Sequence, residues 1–186
     1  LESRAPDGTK WGFEYDGNDR MEYAIDAAGG RWQLEHDRRG RLTRWVDPLG
    51  GATSFQHRGR WLVGVTDANG HQTTFAYDDA GLLAAWIAPG GATTRYAYDA
   101  WGQLVRVTDA QGNAQVREYD VLGRVLRIHE SDGNRREFSY DAEGNLTRWK
   151  DQQREIQFTY AGTGRVSSRS EAGHTLCFEY DAEERL

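Results

Sequence analysis

Tyr-Asp pairs recur along this sequence at a fixed interval, and that interval constrains the fold more than any other feature. They stand at Tyr15-Asp16, Tyr77-Asp78, Tyr98-Asp99, Tyr119-Asp120, Tyr140-Asp141 and Tyr180-Asp181, with a weakened copy at Tyr160-Ala161. Degenerate copies at His36-Asp37 and Gln56-His57 fill the gap after Tyr15. The nine anchors, at 15, 36, 56, 77, 98, 119, 140, 160 and 180, are all 20 or 21 residues apart, and seven of the nine tyrosines occupy one. Self-similarity at such a period marks a repeat array, not a chain folded around one globular core.

Other positions keep the same register. Gly falls four residues after the anchor at Gly40, Gly81, Gly102, Gly123, Gly144 and Gly164. An aliphatic residue falls six after it, as at Leu83, Leu104, Val125, Leu146, Val166 and Leu186. Phe lies two before it at Phe13, Phe75, Phe138, Phe158 and Phe178, and a second Gly seven before it, from Gly8 to Gly173. Each unit therefore holds two Asp-x-x-Gly tetrads. Asp opens a type I turn by accepting backbone N–H groups ahead of it, and Gly supplies the positive φ of a three-residue hairpin loop. Between the turns residues alternate with period two, as in Phe75/Tyr77 and Phe138/Tyr140, which reads as β-strand.

The pattern predicts an all-β chain of continuous antiparallel hairpins forming one array over 1–186, with no separate second domain. Some 17–18 strands at ~4.8 Å would make a strip about 80 Å wide with strands about 20 Å long. So wide a sheet is expected to curl into a spiralling ribbon. Its apolar core would be a stripe along the ribbon, which fits 38% hydrophobic residues beside 12% aromatics and 22 glycines.

Arg44, Arg106, Arg127 and Arg148 stand eight residues after their anchors and are expected to share a face with the aliphatic residues at six. Glu14, Glu35, Glu118 and Glu179, one before the anchor, are candidate partners; structural pairing is favoured over a functional polar wall.

Catalytic and metal chemistry find little support. The five histidines are scattered without ligand spacing, no Gly-rich loop leads into a helix, and most Asp residues belong to turns. No catalytic residue, metal or cofactor is assigned. Cys177 lies in a strand, where a buried or half-buried small side chain is expected. A net charge of −6 argues against nucleic acid as the main partner, and no apolar run is long enough for a membrane-spanning helix. Most tryptophans recur at fixed offsets and read as stacked stripe. Trp61 and Trp101 fall at loop offsets and are the candidates for an exposed contact surface.

The unit Gly-x4-Phe-x-Tyr-Asp-x-x-Gly-x-Leu resembles the RHS/YD repeat, most closely around Tyr77–Leu83, Tyr119–Val125 and Tyr140–Leu146. The resemblance covers nearly the whole chain. It implies a non-catalytic segment of a hollow β-shell that encloses and carries a C-terminal toxin domain in a bacterial secreted toxin, such as a type VI effector or a Tc toxin C component. The implied partners are the remainder of the shell and the enclosed toxin. The implied location is the bacterial cytoplasm before export, then outside or in a target cell. Nine repeats are fewer than such shells carry, so the chain reads as a piece of a longer array. It shows no signal peptide, and it is expected to self-associate through open sheet edges when isolated. Asp47-Pro48-Leu49-Gly50 matches the letters of that family's self-cleavage motif, but at an inter-strand turn; a Pro-fixed turn is favoured over a relic of cleavage. The alternative function is a cell-surface adhesion or carbohydrate-binding repeat module.

Overall fold

The computed structural model describes residues 2–4, 10–162, 164–181 and 185; Gly8 and Leu186 of the repeat register lie outside them. Two units are distinguished, Leu1–Thr93 and Thr94–Leu186. In the first, β1 (Glu2–Arg4), β2 (Lys10–Tyr15), β3 (Met21–Ile25), β4 (Arg31–His36), β5 (Leu42–Val46), β6 (Ala52–Arg58), β7 (Trp61–Thr66), β8 (Gln72–Tyr77) and β9 (Leu83–Ile87) pair antiparallel, each with the next. The second repeats the meander with β10 (Thr93–Tyr98), β11 (Leu104–Thr108), β12 (Ala114–Tyr119), β13 (Val125–His129), β14 (Arg135–Tyr140), β15 (Leu146–Lys150), β16 (Glu155–Tyr160), β17 (Val166–Glu171) and β18 (His174–Cys177). The fold is all-β, an antiparallel array of hairpin repeats, and no helix occurs among the described residues.

The turns work as their sequence predicts. At Asp99 the carboxylate Oδ1 accepts N–H bonds from Trp101 and Gln103, both 2.9 Å. The Asp99 N–H donates to Gln103 O at 3.0 Å, the Gly102 N–H donates to Asp99 O at 3.1 Å, and Gly102 takes φ +81°. Asp47-Pro48-Leu49-Gly50 makes the same bonds, Oδ1 accepting from Leu49 and Gly51 at 2.8 and 2.9 Å, so these four residues form an ordinary member of the series.

Loop length explains why the interval wavers between 20 and 21. Wherever the loop is the full Asp-x-x-Gly type the period is 21; each interval of 20 contains one shortened loop. Gly59-Arg60 is a two-residue turn with only Gly59 at positive φ, +61°. Asp151–Arg154 closes one residue early, Asp151 N–H donating to Arg154 O. Ala172-Gly173 is a two-residue turn with both residues at positive φ, 50° and 81°. The first of these corrects the anchor at Gln56. It is His57 that sits across from Leu62 beyond a bulge, as Tyr77 does from Leu83, so the anchors run 36, 57, 77.

Asp19 fills a glycine position at φ +58°. Left-handed backbone costs a residue with a side chain about 1 kcal/mol, somewhat less for Asp. Asp19→Gly is therefore expected to stabilise the chain by about 0.5–1 kcal/mol, read as a higher urea midpoint.

A bulge beside each anchor tyrosine from Tyr15 to Tyr160 corrects the facial assignment. Tyr140 pairs with Leu146, while the preceding Ser139 pairs with Arg148. Adjacent strand residues point to opposite faces and cross-strand partners share one. Leu146 therefore lies with Tyr140, and Arg148 lies on the other side. The same shift separates Leu42 from Arg44 and Val125 from Arg127. One face of each unit carries Tyr, Phe, Trp and Leu; the other carries the Glu–Arg rows.

Among the described residues no second layer covers either face. No hydrophobic side chain among the described residues is fully buried, and the apolar face is held half-buried by contacts along the strip, such as Trp32 edge-on to Trp45 at 5.2 Å. Cys177, expected buried or half-buried, is exposed, because β18 pairs only with β17 among the described residues and all four of its residues are open to solvent.

Candidate functional site

The repeat is locked to its neighbours by two contacts, both at the ends of strands. The first belongs to the anchor tyrosines. Tyr77 donates its phenol hydrogen to Leu62 O at 2.9 Å, Tyr119 to Leu104 O at 2.8 Å, Tyr140 to Val125 O at 3.0 Å, Tyr160 to Leu146 O at 2.8 Å and Tyr180 to Val166 O at 3.1 Å. Each bond ties an anchor to the aliphatic position of the repeat before it. Tyr98 is half-buried across from Leu104, and Tyr15 stands across from Met21 with 41% exposure.

The second contact belongs to the residue just before that aliphatic position, which the sequence reading did not single out. Arg20, Arg41 and Arg124 each bond the Asp of their own turn through Nε, at 3.1, 2.7 and 2.6 Å. Each then reaches the following repeat with Nη1: Arg20 to Asp37 O at 2.7 Å, Arg124 to Asp141 O at 3.1 Å, and Arg41 to Gly59 O. Arg124 also lies over the Tyr140 ring, 4.7 Å from its centroid. The recurring Gly-Arg dipeptide at Gly40, Gly123 and Gly164 was the available signal.

This position accounts for Trp61. It is not a loop residue on open surface: it is the first residue of β7, half-buried, with its ring 5.9 Å from that of Tyr77. It also covers Gly81, where an added Cβ would stand 2.9 Å from Trp61 Cζ2. Gln103 covers Gly123 in the same way, and Gly81, Gly102, Gly123 and Gly144 all hold φ between +81° and +94°. Trp101 is different. It sits at the tip of the Asp99 turn, 86% exposed, and the neighbouring tip carries Val121 and Leu122, also exposed. A groove of about 540 Å³ beside the two tips is lined by Trp101, Val105, Glu118, Tyr119, Val121 and Leu122.

The polar face carries ion pairs between strands. Arg44 meets Glu35 at 2.9 Å and Arg127 meets Glu118 at 2.7 Å, as the spacing predicted. Glu14 takes Arg31 instead, and Arg148 forks onto Glu155 at 2.8 and 3.2 Å. The Arg148 guanidinium, followed by the Gln157 amide, draws the Glu155 carboxyl down from 4.5 to about 2. The side-chain bond from Arg41, followed by backbone N–H groups, draws Asp37 from 3.8 to about 2. Glu118 is lowered by Arg127 and then His129. Each folded value lies below the unfolded one, so the contribution is complete above the unfolded values and is lost as pH falls through the folded ones. Stability is expected to hold down to pH ~4.5 and to decline toward pH ~2; far-ultraviolet circular dichroism across an acid titration measures it.

Among the described residues, no cluster of three or more His, Cys, Asp or Glu side chains is arranged to hold a metal ion. The arrangement is one of surfaces and repeated contacts. A family model, RHS Repeat, matches residues 36–70, 57–85, 77–114 and 119–151, more than half of the chain. No curated protein matches. Among solved structures, the Tc holotoxin pore of Photorhabdus luminescens is similar with a TM-score of 0.49 at 15% identity, over 92% of this chain and 14% of that one. A TcdB2–TccC3–Cdc42 crystal structure is similar with a TM-score of 0.39 at 15% identity, over 98% and 16%. A porin-like protein from Bacteroides uniformis is similar with a TM-score of 0.41 at 12% identity, over 95% and 91%. The chain thus spans about one seventh of the length of the Photorhabdus chain it matches.

Proposed function

The chain belongs to the RHS repeat family, and from that premise we propose that it is a stretch of wall, itself non-catalytic, in a β-shell that encloses and carries a C-terminal toxin domain of a bacterial secreted toxin. The observation that carries this reading is the pair of end-of-strand contacts. Five anchor tyrosines bond the repeat before them and three arginines before the aliphatic position reach the repeat after them, and among the described residues neither face of the sheet is spent on a core. An element held together only along its own strip can be lengthened repeat by repeat and leaves both faces available, which a partition requires. Its route follows: synthesis in the bacterial cytoplasm, then secretion or delivery with the cargo.

The test is limited trypsin digestion of the full parent gene product, followed by intact mass. A domain C-terminal to the repeats that resists trypsin until the shell is opened with urea supports enclosure. Immediate digestion of that domain, or a parent that ends in repeats, overturns it. The exposed Trp101, with Val121 and Leu122 beside it, favours one second reading, a carbohydrate-binding or adhesion module. Glycan-array binding abolished by Trp101→Ala would establish that reading, and no binding by the parent chain removes it.

A further inference from the structure

The polar face of the second unit carries an uneven charge. Its strands β10 to β18 place six cationic side chains there against three carboxylates, Glu118, Glu137 and Glu155, in a chain whose net charge is −6. The three carboxylates are occupied. Arg127 takes Glu118, Arg135 takes Glu137, and Arg148 and Lys150 share Glu155. Arg95 and Arg106 remain, both exposed, on adjacent strands of this face. Neither has a carboxylate partner among the described residues; Arg106 bonds only the Thr108 hydroxyl, at 3.3 Å. They are diagonal neighbours, about 7–8 Å apart with their Cβ atoms somewhat closer. Two like charges this close concentrate positive potential at one spot, which an anionic group set between them would neutralise.

We propose that this face, centred on Arg95 and Arg106, binds an acidic polypeptide segment through its side-chain carboxylates. Two guanidiniums presented on neighbouring strands suit planar carboxylates, which accept paired N–H bonds from each. Nucleic acid fits less well. The Phe, Tyr and Trp side chains of this unit's strands lie on the opposite face, Phe138 against Trp149 for example, so these arginines have no such ring beside them as a stacking platform for bases. The chain's overall negative charge also repels an extended polyanion while leaving a short acidic segment a local basic site. The inference goes beyond the enclosing role. A wall that encloses nothing still carries this face, and a failure here leaves enclosure standing.

The test uses the 186-residue chain and a labelled peptide of alternating glutamate and glycine, read by fluorescence anisotropy at low and at physiological salt. Binding is expected, weaker at the higher salt, and weaker by about tenfold or more in Arg95→Gln/Arg106→Gln. Arg38→Gln/Arg39→Gln, which removes two exposed arginines from a turn of the first unit, is expected to leave it unchanged. Absence of binding, equal binding of the glutamine-for-glutamate peptide, or equal loss in both double variants overturns the proposal. Tighter binding of an oligothymidine of matched charge overturns it in favour of nucleic acid.

Discussion

Gly81→Ala is expected to destabilise the chain by about 3 kcal/mol, while Gly70→Ala in the same unit costs about 1 kcal/mol. Both glycines hold φ +83°, so the penalty for giving left-handed backbone a Cβ is common to them. They differ in what the Cβ meets. At Gly70 nothing lies within 4 Å; at Gly81 the ring of Trp61 stands at 2.9 Å (Cζ2), 3.3 Å (Nε1) and 3.4 Å (Cε2). The indole is rigid and its far side packs toward Tyr77, so it cannot retreat without giving up that contact. Overpacking of this kind costs about 1–3 kcal/mol. Urea unfolding followed by tryptophan fluorescence measures both variants. The cause is isolated by repeating Gly81→Ala in a Trp61→Ala background, where the cost is expected to fall to about 1 kcal/mol, a coupling of about 2 kcal/mol. An undiminished cost would mean that the glycine serves the turn alone and that the position before the aliphatic residue does not clamp the next repeat.

The periodicity of Tyr, Gly and Leu made strand order, turn type and hairpin topology legible, because each is decided by residues a few positions apart. Four features were not legible, three of them for a shared physical reason. A β-bulge adds a residue to one strand without leaving a mark in the composition, so Arg148 could not be seen to lie opposite Leu146 in facing. The shortened loop at Gly59-Arg60 moved the anchor from Gln56 to His57 for the same reason, and with it moved Trp61 from an apparent loop tip to a clamp position. Cys177 was expected buried or half-buried because strand residues on a stripe usually have neighbours on both sides; β18 has β17 alone among the described residues. Trp101, by contrast, was readable, since it occupies a turn position whose side chain the hairpin never uses. The uneven charge of the polar face was hidden by the bulges as well, since a face can be summed only once the register is known.

The anchor tyrosines test whether these repeats are joined by ring packing or by the hydroxyl. Tyr119→Ala is expected to cost about 2–3 kcal/mol, toward or below the lower end of the range for a fully buried aromatic, since this ring is only half-buried. Tyr119→Phe keeps the packing and removes the bond to Leu104 O at 2.8 Å, and is expected to cost about 1 kcal/mol. Tyr23, off the register, pairs with Glu14 on the polar face and lies beneath Arg31 at 3.7 Å. Tyr23→Ala removes a half-buried ring and one cation–π contact, without a hydroxyl bond to a neighbouring repeat, and is expected to cost about 1–2 kcal/mol. Urea midpoints of the three variants give the comparison. Equal costs for Tyr119→Ala and Tyr23→Ala would remove the anchor from its structural role. A Tyr119→Phe cost near zero would assign the anchor to packing alone. In that case tyrosine, and not phenylalanine, at seven of nine anchors would have no explanation in the contacts between repeats. The hydroxyl supplies one: it bonds the backbone carbonyl of the repeat before it. Because such contacts act between nearest neighbours, the same change at Tyr140 should lower stability by a similar amount.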